Sequence, residues 1–154
     1  MKRKRSNIIR LVAMILAVFM ILPVGTTASA AETVQPRASY YLDAYNAYVY
    51  LPGNGQVQVY FDVSGTGYMD ELGVLSIKIY ECATNSSNIN DWTWKKTFTH
   101  DSTSGMLSYN DDFHYGHVTY YNGTPGKYYK AYVCVWGGKN GAGDTRYFWT
   151  NVER

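Results

Sequence analysis

From Gln56 to Val63 the chain alternates without a break: Val57, Val59, Phe61 and Val63 face one way, and Gln56, Gln58, Tyr60 and Asp62 the other. A period of two is the mark of a strand with one buried face. Tyr45 to Leu51 alternates likewise, with Ala47, Val49 and Leu51 aligned, and the turn formers Pro52-Gly53-Asn54-Gly55 join the two runs as a hairpin. A turn at Ser64-Gly65-Thr66-Gly67 then precedes Val74 to Cys82, where Leu75, Ile77 and Ile79 oppose Ser76, Lys78 and Tyr80. After the polar loop Ala83 to Asp91, the run Trp92 to His100 reads as an edge strand with Trp92, Trp94 and Phe98 on the face of Lys96. Asp101 to Asp112 holds turn formers and no sustained period. His114 to Tyr121, Tyr128 to Trp136 and Arg146 to Val152 complete the strand-like runs, separated by the Gly123-Thr124-Pro125-Gly126 turn and a long loop over Gly137 to Asp144. Seven short strands at roughly ten-residue spacing, without a helical period, predict an all-β fold over 39–154, a single antiparallel β-sandwich of about seven strands.

The first thirty residues are of another kind. Lys2, Arg3, Lys4, Arg5 and Arg10 precede an apolar run from Leu11 to Val24. Its fourteen residues fall short of the ~20 that span a bilayer. Pro23 and Gly25 end the run, and Ala28-Ser29-Ala30 offers the small residues that a signal peptidase accepts. Residues 1–30 are therefore expected to be a signal peptide cleaved before Ala31, and 31–38, with Pro36 and Arg37, a flexible lead-in. That predicts a secreted, extracellular protein with no membrane span in its mature form.

Export changes the charge. Removing five of the fourteen basic residues leaves nine against the twelve acidic ones, a formal charge of −3 after Ala30. Lys95-Lys96 is the one basic pair, and a mildly acidic domain without basic clusters lacks the footprint of a nucleic-acid binder.

Catalytic and metal-binding patterns are weak. His114 and His117 lie near Asp111 and Asp112, but side chains three residues apart on a strand point to opposite faces. Gly137-Gly138 and Gly141-Ala142-Gly143 lack the Lys-Ser/Thr ending of a phosphate loop and precede a strand. There is no Gly-x-Ser-x-Gly elbow. Asp70-Glu71 and Asp111-Asp112 are paired acids of the type glycosidases use, in a chain too short to promise an enclosed cleft. The expectation is a protein that is not an enzyme, with no cofactor and no metal site; a small hydrolase working through Asp111, Asp112 or His114 is the outlying alternative.

The aromatic load is the most informative feature. Sixteen tyrosines, five phenylalanines and four tryptophans fall on strands whose other side is aliphatic. Tyr60 opposes Val59 and Phe61, Tyr80 opposes Ile79, and Tyr132 and Trp136 oppose Val133 and Val135. With the aliphatic sides inward, the rings stand outward as flat amphipathic plates suited to sugar rings or a protein surface. Gln58, Asp62, Lys78 and Lys130 would be their polar neighbours. Tyr60, Tyr80, Tyr132 and Trp136 are thus the expected binding residues of a non-enzymatic interaction module for a glycan or a protein. Tyrosine's β propensity and its cross-strand pairing give a purely structural alternative. A bacteriocin-like or toxin-like β-sandwich is the alternative of another functional class.

The segment Gly126 to Trp136, with Tyr132 two residues before Cys134, resembles the penultimate strand of immunoglobulin-like and fibronectin type III-like sandwiches. Cys82, Trp94 and Cys134 stand in the order of the immunoglobulin pin. Arg37 to Tyr40, Leu72 to Ile77 and Pro125 to Tyr129 together resemble small secreted proteins of Gram-positive gut bacteria that have no assigned function. The resemblance implies a disulfide between Cys82 and Cys134, as two cysteines in an exported chain also suggest. Alternation departs from the immunoglobulin bridge, because it sets both sulfurs opposite the aliphatic faces. A bridge on the outer face and two separate thiols both remain open.

Overall fold

Asn54 and Gly55 adopt φ of 54° and 71°, and Asn140 and Gly141 adopt 53° and 76°. Two successive residues with positive φ are what a tight hairpin turn needs, and Asn-Gly supplies them at the smallest steric cost. These turns close the first and last hairpins of a computed structural model that describes residues 39–154. The signal peptide and lead-in expected over 1–30 and 31–38 lie outside the described residues.

The described chain is all-β. Its strands are β1 (Leu42–Gly53), β2 (Gln56–Cys82), β3 (Thr93–Thr99), β4 (Leu107–Tyr120), β5 (Tyr128–Lys139) and β6 (Ala142–Trp149), with a 3-10 turn at Ile89–Asp91. All pair antiparallel in one sheet. No described helix is long and apolar enough to cross a membrane.

β2 is the spine, and each of its edges is used twice. Along one edge it pairs first with β1 (Gln56 to Gly65) and then with β5 (Glu71 to Cys82). Along the other it pairs with β4 (Val57 to Gly73) and then with β3 (Ser76 to Glu81). β6 extends the sheet beyond β5. Between Ser64 and Met69 the register against β4 jumps from Phe113 to Asp111, so β2 carries extra residues there. Extra residues on one strand bend it and raise its twist. At Gly65 a Cβ would meet Gly67 O at 2.7 Å and Met69 Cγ at 2.8 Å, so the bend folds too tightly for a side chain. The sheet curls about this point.

The curl gathers the aliphatic faces into one core. Val57, Val59, Val63, Leu72, Val74, Ile77, Ile79, Val133 and Val135 are fully buried, and Phe61, Met106 and Val118 join them. Each such side chain contributes roughly 1.5–3 kcal/mol relative to exposure. The two halves of the sheet meet where the Tyr45 and Phe148 rings lie 5.1 Å apart and where Leu42 packs against Gly137.

The structure refines three expectations. The described residues form six strands, because Ser64 to Gly67 is a bend within one strand, where Ser64 keeps partners in both β1 and β4 and Gly65 keeps one in β1. β4 begins at Leu107, inside the stretch expected to be an irregular loop or short paired segments, because Leu107 to Asp111 find partners in Met69 to Gly73. The long loop over 137–144 is a two-residue turn. A register shift between Lys96 and Trp94 also divides the aromatic residues of β3. Phe98 packs on the core, whereas Trp94 is 57% exposed on the opposite side.

Candidate functional site

Alternation along β5 turns Tyr128, Lys130, Tyr132, Cys134 and Trp136 outward, because Tyr129, Ala131, Val133 and Val135 are taken up by the core. Register then decides what lies beside them. Tyr132 stands between Lys78 of β2 and Trp149 of β6, Cys134 between Ser76 and Tyr147, and Lys130 beside Tyr80, which is itself opposite Trp94. The rings meet: Trp149 lies 5.3 Å from Tyr80 and 4.8 Å from Tyr132, and Tyr132 stacks on Tyr147 at 5.9 Å. Lys130 Nζ sits 4.1 Å from the centroid of Trp92 and 4.5 Å from that of Trp149. Burial pushes the Lys130 ammonium below its usual range, against an opposing pull from Cys82, and the two indole faces supply the attraction that water no longer does. The outward positions of this half of the sheet carry aromatic residues and two lysines, with no carboxylate between the rungs of Cys82 and Ser76.

Trp136 continues the row toward the β5–β6 hairpin. Its indole Nε1 donates to Glu71 Oε2 at 3.2 Å. The ring lies over Gly138 and Gly143, where a Cβ would come within 2.6 Å of Cζ2 and 2.4 Å of Cη2 respectively. Beside it is a depression of about 450 Å³ bordered by Asp70, Glu71, Tyr109, Trp136 and Lys139.

Tyr60 belongs to a different surface. On the outer side of β1, β2 and β4 it stands between Tyr48 and His117, stacked on both at 5.3 and 5.1 Å. Its hydroxyl donates to Gln58 Oε1 at 3.0 Å. Of the four expected residues, Tyr80, Tyr132 and Trp136 therefore share one face, and Tyr60 is apart from them. Tyr147, Trp149 and Trp92 complete the first group. The alternation of Tyr147 and Trp149 about Phe148 was the available signal for two of these, once paired with Tyr132.

Cys82 and Cys134 are buried and unbonded, which corrects the expected disulfide. Cys82 is opposite Tyr128 and Cys134 opposite Ser76. Six residue steps of extended β5 separate them, roughly 20 Å at about 3.3 Å per residue, whereas a disulfide needs Cα atoms within about 7 Å. The immunoglobulin pin is absent too, since Trp94 is exposed and bonds Thr97 Oγ1 rather than covering a bridge. Burial pushes the Cys134 thiol up, with Tyr147 and Ser76 hydrogen bonds opposing.

His114 and His117 face opposite ways, as spacing predicts: His114 packs near Phe61 and meets Gly105 O at 3.0 Å, while His117 stacks on Tyr60. Asp111 Oδ1 accepts from the amides of Asp112 and Phe113. Among the described residues no cluster of three His, Cys, Asp or Glu side chains is placed to hold a metal ion.

No family model and no curated protein matches the chain. Among solved structures it is similar to the crystal structure of Spo0M, a sporulation control protein from Bacillus subtilis, with a TM-score of 0.38 and 11% identity. The match covers 70% of this chain and 49% of that one, so this chain spans about half the length of that protein. A likeness of this degree bears on neither fold nor role.

Proposed function

We propose that residues 39–154 form a secreted, non-enzymatic binding module whose contact surface is the outer aromatic face of β2, β3, β5 and β6. In the same reading the curled sheet is a β-sandwich, with β1, β4 and the first half of β2 as one layer and β3, β5, β6 and the second half of β2 as the other. Counting β2 in both layers recovers the seven strands expected from sequence.

The observation that carries the proposal is the continuous row Trp94, Tyr80, Tyr132, Trp149 and Tyr147, placed by register across four strands and set outside a core already filled by aliphatic side chains. Trp94 and Tyr147 remain 57% and 60% exposed. Large rigid rings with polar tips give much contact area at small entropy cost, which is why such residues dominate binding surfaces. A glycan chain of the cell envelope or of mucin type, or a protein surface, fits this chemistry.

The test is a glycan and envelope-polymer array probed with the mature protein, Tyr132→Ala and Trp149→Ala. Binding weakened at least tenfold by either substitution is the expected result. Binding unchanged by both substitutions removes the assignment.

A further inference from the structure

We infer that the depression beside Trp136 is a subsite for a single neutral pyranose ring. The inference deepens the contact-surface reading and rests on it, because Trp136 stands on the same outward row of β5 as Tyr132.

The shape follows from one rung of the sheet. Tyr109 of β4, Glu71 of β2, Gly138 of β5 and Gly143 of β6 are successive partners across four strands. Two residues in that rung lack side chains, so the surface drops between the Tyr109 ring and the hairpin. Trp136, two rungs away on the same face, lays its indole across the two glycines. A Cβ at either would collide with the ring, so only bare backbone fits against the indole there, and Trp136 and Gly138 both line the depression. Glu71 holds the indole edge through Oε2. Asp70 Oδ2 accepts the amide of Asn140 at 2.6 Å, tying the hairpin turn to β2.

Each carboxylate thus uses one oxygen to build the wall. Among the described residues no donor reaches the other oxygen of either, and neither carboxylate meets a lysine, arginine or histidine at ion-pair distance. A fixed apolar plate beside two oxygens that accept and do not donate matches a pyranose, whose C–H face lies on an indole while its hydroxyls donate sideways. The volume of about 450 Å³ falls within the ~300–1,000 Å³ of small-molecule sites. Lys139 also lines the depression, so a phosphorylated or uronic ligand would meet two carboxylates against a single cation, and a neutral ring is the better match. The plate is locked before binding, so little ordering cost falls on association.

The four tryptophans each give one indole N–H resonance, which makes the site readable by ¹H–¹⁵N NMR on the mature protein. The probes are β-1,4-linked tetrasaccharides of glucose, N-acetylglucosamine, xylose and mannose, with choline as the cation control. At least one sugar should shift the Trp136 indole signal together with the Glu71 and Tyr109 amides, with affinity unchanged between 0.05 and 0.5 M salt. Trp136→Ala should weaken that sugar at least tenfold. Gly138→Ala, which keeps the tryptophan and lifts its ring, should weaken it several-fold while the amide spectrum of the core stays in place. A Trp136 signal unmoved by every sugar, or moved as strongly by choline and lost in high salt, overturns the subsite. If the sugars move Trp149 and the Tyr132 amide but not Trp136, the subsite alone falls. If sugars move neither and array binding is also indifferent to Tyr132→Ala and Trp149→Ala, the contact-surface reading falls with it.

Discussion

Cys82 and Cys134 point to the same outer side of paired strands, yet the first sits opposite Tyr128 and the second opposite Ser76, six residue steps apart along β5. Mature protein unfolded without reductant should therefore take up two alkyl groups per chain by intact mass. In the native state both should react slowly, because both are buried and the Cys134 thiol is pushed up by burial, which leaves little thiolate. A mass two hydrogens lower, with no alkylation after unfolding, would contradict the register.

Tyr129 is buried in the core, and its hydroxyl donates to Glu81 Oε2. Burial, then the Glu81 hydrogen bond, push the phenol up to about 12. Burial also raises the Glu81 carboxyl, but hydrogen bonds from Tyr129 and Thr124 and the nearby Lys95 outweigh it and hold the group below its usual value. The phenol's contribution to stability is thus complete below the unfolded value of about 10 and is lost as pH rises through 12. That of Glu81 is present above about 4.3 and is lost as pH falls through its lowered folded value. Tyr129→Phe should cost about 1–3 kcal/mol at neutral pH. Its urea midpoint should also fall less steeply than wild type between pH 10 and 12. Parallel curves for the two proteins would refute the coupling.

Asp144 staples the first described residues to β6: its Oδ2 accepts from Ser39 Oγ at 2.5 Å and from the Tyr40 amide at 3.2 Å, with Arg146 at 3.8 Å. Ser39 Oγ in turn accepts the amides of Tyr41 and Leu42. Asp144→Ala should lower stability by about 1–2 kcal/mol and abolish hydrogen-exchange protection at Tyr41 and Leu42. Retained protection there would show that strand pairing alone orders this segment.

What the sequence showed and hid follows from the range of each signal. Alternation is local, so the inward set Val57, Val59, Val63, Ile77, Ile79, Val133 and Val135 and the outward set Tyr60, Tyr80 and Tyr132 were legible residue by residue. The bend at Ser64 to Gly67 read as a turn because its composition is that of a turn; Ser64 pairs with Ala44 and Phe113, Gly65 pairs with Leu42, and β2 resumes at Met69 opposite Asp111, so distant partners keep one strand running through it. Leu107 to Asp111 read as a loop or short paired segments for the same reason. The bulge at Lys95 moved Trp94 away from the face of Phe98, since one extra residue reverses every side chain beyond it. Trp136 was legible as an outward aromatic residue. Its seat was not, because Gly138 and Gly143 look like loop glycines until β5 and β6 are paired.

The two faces of the sheet divide the labour: aliphatic side chains hold the fold, and the outer rings are free for contact. Equilibrium urea unfolding of Ile77→Ala and Tyr132→Ala tests it most directly. Ile77 is fully buried, and its truncation should cost about 2–5 kcal/mol. Tyr132 touches Tyr147 and Trp149, outer-face pairs of about 0.2–1 kcal/mol each, so its truncation should cost under about 2 kcal/mol. A Tyr132→Ala loss equal to that of Ile77→Ala would mean that the aromatic face is part of what holds the protein together.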